Sequence, residues 1–274
     1  MIYYIVSATK SHLDKLERLH YNAALLVSGC IHGSNTVKVL NILNWQTLAS
    51  RRLERQRAFM YKVVFGISPP FIRSIFDIYR DNRHPNARNT RSQRPFRIPA
   101  DLSYKSFNSP FFKLMTTWNN LQPETRNLQS LSNFKYKTSF KRYRVQIIST
   151  MMIKNNMNRK EEICLNRLRV DFLLPVHLYH HNFQNINPNC TFCNERLSTT
   201  HFFIKCRHPN QQTRIQTLLT ALDNIAPGLI NHYISKTLQN KCNFLLFGDT
   251  TFNLDTNCKI LTLSAKFIHS SFNN

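Results

Sequence analysis

Four side chains between positions 190 and 206 have the types and spacing to do chemistry: Cys190-x2-Cys193-x7-His201-x4-Cys206. A Cys-x2-Cys turn presents two thiolates from one tight loop. A histidine and a third cysteine complete the tetrahedral donor set that zinc takes in structural sites. Four protein ligands leave no coordination position open for a substrate, so the expected cofactor is a structural zinc ion. His208 is an alternative ligand on spacing alone. The other cysteines (Cys30, Cys164, Cys242 and Cys258) are scattered and read as apolar thiols of a core. Seven cysteines, an odd number with three of them clustered, fit a reduced intracellular protein better than a disulfide framework.

Catalytic chemistry is not expected. Only 14 acidic residues occur in 274, and no paired aspartates sit on a strand-turn signal that could hold two metal ions. There is no glycine-rich phosphate loop and no His-Glu-x-x-His helix. Asp249, Asp255 and Lys259 form the one conceivable nuclease-like trio. Asp249 after Gly248 reads as a turn residue, however, and Asp255 as a helix cap.

Charge sets the expected partner. With 37 Lys and Arg against 14 acids, the formal net charge is +23 and the pI about 10.1. Such an excess repels itself unless a polyanion neutralises it, and RNA and/or DNA is the usual one. The candidate contacts are Arg51, Arg52 and Arg55 (with Arg57) on one helix, Arg91 and Arg94 in an arginine-rich arm over 80–97, and the cluster Lys135, Lys137, Lys141, Arg142 and Arg144. No apolar run reaches the ~18 residues of a membrane span, and MIYYIVSATK lacks the features of a signal peptide. No membrane partner is therefore expected.

The elements that position these residues read as mostly α. Over 11–28 the stripe Leu13, Leu16, His20, Ala23, Ala24 and Val27 predicts a helix with Ser11 as N-cap and Gly29 as its stop. Thr47 caps a second helix with a stripe of Leu48, Leu53, Met60, Val63 and Val64. Gly66 and Pro69-Pro70 end it. Further helices are expected over 110–122, 130–143, 163–180 and 210–223, with an amphipathic close at ILTLSAKFI. The divisions are 1–145, a linker at 146–162, and a zinc-stabilised helical module at 163–274.

Taken in order, these segments resemble a known family. LERLHYNAALLVSG followed by LNWQTLASRRLERQRAFMYKVVFGISPPFI is similar to the thumb of non-LTR (LINE-type) retrotransposon reverse transcriptases, of the jockey and chicken-repeat-like branches. SFNSPFFKLMTTWNNLQPETRNLQSLSNFKYK resembles the stretch that follows there, with Gln122 standing between Leu121 and Pro123 as a departure. NRLRVDF, the Cys/His cluster with HFFIKC, and FLLFGDTTFNLD resemble the family's zinc-binding C-terminal segment. The resemblance implies a thumb that grips template–primer and a zinc segment that contacts nucleic acid. In the family the catalytic palm, with its Tyr-x-Asp-Asp, and an endonuclease lie upstream, and this sequence contains neither. The expectation is thus a noncatalytic, nucleic-acid-binding C-terminal part, whose further partner would be the upstream polymerase core. Two alternatives stand beside it: a zinc-stabilised interaction module with Phe111, Phe112 and Trp118 as its docking patch, although core packing is the default for those rings, and an inert retroelement remnant.

Overall fold

The computed structural model describes residues 8–80, 95–100, 103, 109–139, 157–183 and 185–272. It is mostly helical, and among the described residues there is no sheet, only the antiparallel bridges Arg80–Phe96 and Asn189–Arg196. Packing gathers the chain into two units: Met1–Arg18 with Thr47–Arg142, and Leu19–Gln46 with Tyr143–Asn274. The linear division at 146–162 places residues 19–46 with the first part, whereas their contacts place them with the second. The expected linker also gives way at Asn158. Its side chain caps the Glu161 N–H while Glu161 bonds back to the Asn158 N–H, so residues 159–162 are already helical.

The first unit is built on α3 (Leu48–Val64), α4 (Pro70–Asp77), α5 (Pro110–Asn119), α6 (Pro123–Arg126) and α7 (Leu131–Thr138). Thr47 caps α3 by accepting from the Ser50 N–H. The Glu17 carboxylate also accepts from the Leu48 and Ala49 N–H groups, 3.2 and 2.6 Å away, where the helix dipole favours an anion. Met60, Tyr61 and Val63 of α3 pack with Phe112, Met115, Trp118 and Phe134 into one core. Tyr61 donates its hydroxyl proton to the Leu128 carbonyl at 3.0 Å. Trp118, at 1% exposure, and Phe112 lie inside this core and Phe111 packs against it, so these rings take the core packing that was their default rather than the alternative docking patch.

The second unit draws on the end of α1 (Lys10–Ser28), α2 (Thr36–Ile42), α8 (Arg159–Arg169), α9 (Pro175–His180), a π-turn (His201–Lys205), α10 (Pro209–Asp223), α11 (Leu229–Ile234), α12 (Leu238–Phe247) and α13 (Leu254–Phe272). The N-terminus of α1 departs from the expected cap. The Thr9 hydroxyl accepts from the His12 N–H, and Ser11 lies inside the helix. Its buried face is Ala24, Leu25 and Ser28, while Leu16 and Ala23 are exposed. Gly29 stops the helix at φ +72°, a left-handed conformation that is costly for side chains with a Cβ. Helix α8 holds that turn: Asn166 donates to the Ser28 carbonyl at 2.9 Å and Arg167 to the Gly29 carbonyl at 3.0 Å. The largest core surrounds α8 and α13, whose Leu165, Leu168, Ile260, Leu261 and Ala265 pack with Phe202, Phe203, Leu222 and Leu245. Arg169, 4% exposed, donates to the Leu246 carbonyl at 2.6 Å and so caps the C-terminal end of α12.

Candidate metal centre

The first pair of ligands comes from a short hairpin. Asn189 and Arg196 bridge its two sides, Leu197 donates to the Pro188 carbonyl and Cys190 to the Glu195 carbonyl. Between them the chain reverses through Cys190–Cys193. Asn194 stands at φ +54°, a left-handed position its short amide side chain tolerates, and donates to the Cys190 carbonyl.

The second pair needs a different device. In an α-helix, residues five apart point about 140° away from each other. Here the Cys206 N–H bonds back five residues to the His201 carbonyl at 2.9 Å, which widens the turn and brings His201 and Cys206 to the same side. The turn is anchored on both faces. Phe202 and Phe203 are buried against Phe267, with centroids 5.5 and 5.6 Å away. The buried Gln211 amide donates to the Phe202 carbonyl at 2.9 Å, and Gln212 donates to the Cys206 carbonyl.

The Cys190, Cys193 and Cys206 sulfurs and a ring nitrogen of His201 thereby lie within 4.8 Å of one another. Cys190 Sγ and Cys206 Sγ are 4.0 Å apart, close to the ~3.8 Å edge of a tetrahedron with 2.3 Å metal–sulfur bonds. The His201 ring is 2% exposed. Its Nδ1 meets Glu195 Oε2 at 3.3 Å, while Nε2 is buried and makes no hydrogen bond. A buried ring nitrogen without a partner costs free energy unless something binds it, and a carboxylate on the opposite nitrogen is the usual support of a metal-bound histidine. Donor types, separations and the orphaned nitrogen all fit: these four residues could hold a metal ion. His208, the alternative ligand, lies outside this set and packs edge-on against Phe192 at 5.1 Å.

Proton affinities within the cluster are already split. Burial pushes the Cys190 thiol up, but the backbone N–H groups of Cys193 and Phe192, with the nearby His201 and Cys206 side chains, bring it down to about 7. Burial, with the neighbouring Cys190, pushes Cys206 up to about 11. A divalent ion bound here would displace the remaining thiol protons, so its affinity would rise with pH.

The conceivable trio of Asp249, Asp255 and Lys259, set aside on sequence, is engaged in local pairing. Asp249 is held by Lys236 at 2.6 Å, by His232 at 3.2 Å and by the Thr251 N–H and hydroxyl at 3.0 Å, the arrangement of a turn residue. Asp255 pairs along the helix with Lys259 at 2.8 Å. The cap of α13 is Asn253, which accepts from Thr256, and not Asp255.

The expected nucleic-acid contacts divide by surroundings. Arg51 and Arg55 are exposed, as is Lys137. Arg52 is half-buried and paired with Glu17 at 3.1 Å. Arg57 donates to the Thr138 carbonyl at 3.0 Å, and burial pushes its guanidinium down, so it ties α3 to α7. Arg91, Arg94, Lys141, Arg142 and Arg144 lie outside the described residues. Lys62, missing from that expectation, joins the exposed arginines, as does the expected Lys135. Lys62 continues the row Arg51–Arg55–Ala58 on one face of α3. Lys135 of α7 faces it across a groove of about 400 Å³ floored by Ala58 and Phe59. The i, i+4, i+7, i+11 spacing from Arg51 to Lys62 was a readable signal, whereas the approach of Lys135 depends on tertiary packing. Glu195 and Gln211, which support the metal ligands, carry no sequence signal of their role.

No helix among the described residues is long and apolar enough to cross a membrane. The chain matches no protein-family model, no curated protein and no solved structure.

Proposed function

We propose that this chain is a noncatalytic nucleic-acid-binding protein, related to the thumb and C-terminal zinc segment of non-LTR retrotransposon reverse transcriptases. The observation that carries the reading is the cation row of α3. Arg51, Arg55 and Lys62 are exposed along about 16 Å of one helix face, and Lys135 lies across the adjoining groove. Glu54 is the one acid among the described residues that line it. Such a row suits a phosphate backbone, and the +23 net charge of the whole chain adds a long-range attraction.

The metal in this reading is zinc. Three thiolates and an imidazole gathered within 4.8 Å of one another are a donor set that selects zinc over calcium or magnesium. Its role is to fix the hairpin and the π-turn against the core of the second unit. One zinc per purified chain is the expected stoichiometry, with helicity lost in Cys190→Ser and Cys206→Ser. Duplex oligonucleotides should bind the wild-type chain at low ionic strength. Absence of binding to both RNA and DNA there would remove the proposal.

A second reading has its own observation. Phe71, Ile75 and Ile78, at 69%, 50% and 79% exposure, lie at i, i+4, i+7 along α4 and its C-terminal edge, an apolar stripe suited to protein docking. Association through it would survive added salt, whereas nucleic-acid binding would weaken steeply.

A further inference from the structure

The metal hairpin carries an aromatic ring at its tip. Phe192 sits between Cys190 and Cys193 and is 55% exposed. Its flank is not apolar packing but the His208 imidazole, met edge-on at 5.1 Å and 74°. A large apolar ring on a two-residue turn between ligands contributes nothing to the core of the second unit, from which it is absent. The turn is instead held rigid from beneath, since the Arg207 N–H donates to Cys193 Sγ at 3.3 Å and the Asn189–Arg196 bridge closes the hairpin base.

Charge around the ring selects the partner. Arg196, Lys205 and Arg207 are all exposed and lie within three residues of a ligand, and no described acid pairs with any of them. Three thiolates around a divalent ion leave one net negative charge and Glu195 adds a second, so the segment from the hairpin through Arg207, with its three cations, stays positive by one. An exposed π-face in a segment that carries unpaired cations suits unstacked bases and their phosphates, and duplex DNA, with its bases stacked inside, cannot use the ring.

We infer that Phe192, edged by His208 and in the same short segment as the exposed Arg196, Lys205 and Arg207, is a base-stacking platform for single-stranded nucleic acid. This rests on the reading of the chain as a nucleic-acid binder and adds a strand preference to it.

The test compares a short oligo-uridylate with a DNA duplex of the same length by fluorescence anisotropy, for the wild type, Phe192→Ala and Phe192→Trp. Phe192→Ala should weaken the single strand about tenfold, the usual loss for one base–aromatic stack, and leave the duplex unchanged. Phe192→Trp should restore single-strand binding. A 5-iodouridine-substituted strand should photocrosslink to the peptide containing Phe192. Metal content should be the same in all three proteins. Single-strand affinity unchanged in Phe192→Ala, or equal losses for both ligands together with loss of metal, would overturn the inference. In the first case, duplex binding that still depends on Arg51, Arg55 and Lys62 would leave the broader proposal standing. If the wild type bound neither ligand, both would fall.

Discussion

The turn at Gly29 is where the grouping of residues 19–46 with the C-terminal half can be tested by one substitution. Gly29 has φ +72°, and a Cβ there would stand 3.0 Å from Ile163 Cδ1 and 3.2 Å from Ile163 Cβ, and closer still to Cγ1. Gly29→Ala therefore meets two penalties. The left-handed backbone costs about 1–2 kcal/mol for a residue with a Cβ. Forcing a methyl into α8, where Asn166 and Arg167 grip the flanking carbonyls, costs about 1–3 kcal/mol more. Restriction of the unfolded chain returns about 0.4–1 kcal/mol, which leaves a net loss of about 1–5 kcal/mol. Ile163→Ala opens the space, so the double variant should be less destabilised than the sum of the single ones by about 1–3 kcal/mol. Each unit has one of the two tryptophans, Trp45 in the second and Trp118 in the first. Urea unfolding read by Trp45 fluorescence in a Trp118→Phe background thus reports on the relevant unit. Single-site losses that add within about 0.5 kcal/mol, or a Gly29→Ala variant as stable as its parent, would refute the packing argument.

Two further perturbations follow from other contacts. Burial pushes the Asp249 carboxyl up, but the Lys236 ammonium, the Thr251 N–H, His232 and the Thr251 hydroxyl together hold it well below the usual carboxylate range. A depressed folded-state value adds stability above the unfolded value of about 3.9, lost as pH falls below it. Asp249→Asn should therefore cost about 2–3 kcal/mol at pH 7, with the gap from wild type narrowing below about pH 4; a gap independent of pH would count against the ion cluster. Glu195→Ala removes the oxygen that orients His201 while leaving all four ligands in place. Competition with a chromophoric chelator should show metal affinity about 10–100-fold weaker, and an unchanged affinity would mean that Glu195 does not support the histidine.

Much of the helical framework was legible because it rests on local chemistry. Thr47 as a cap and Gly29 and Gly66 as stops act over a few residues, and each stands where the sequence placed its helix end, whereas the helix that Pro70 opens was not expected. The Cys/His cluster that could hold a metal ion was legible for a similar reason, since cysteines spaced by a tight turn have few other uses. What escaped was set by distant partners. Leu16 lies on an apparent stripe, yet the buried face of α1 is turned to Ala24, Leu25 and Ser28, because α8 grips the carbonyls of Ser28 and Gly29. Arg52 and Arg57 look equivalent to Arg51 and Arg55 in a string of letters. Glu17, 35 positions away, and Thr138, 81 positions away, turn the first two into structural groups. The π-turn at His201 was also invisible, since its widened hydrogen bond depends on Phe202, Phe203 and Gln211 being held by α10 and α13.

The central claim is that the exposed face of α3 neutralises phosphates, and its most direct measurement is a salt titration. Binding of a DNA duplex by the wild type and by Arg51→Ala/Arg55→Ala/Lys62→Ala should be followed across ionic strength. Each neutralised phosphate contributes about 0.9 to the slope of log affinity against log salt. If all three cations contact phosphates, the wild-type slope should be steeper than the variant's by about 2.7, with folding and metal content unchanged. Equal slopes for the two proteins, or a wild-type affinity indifferent to salt, would contradict the account.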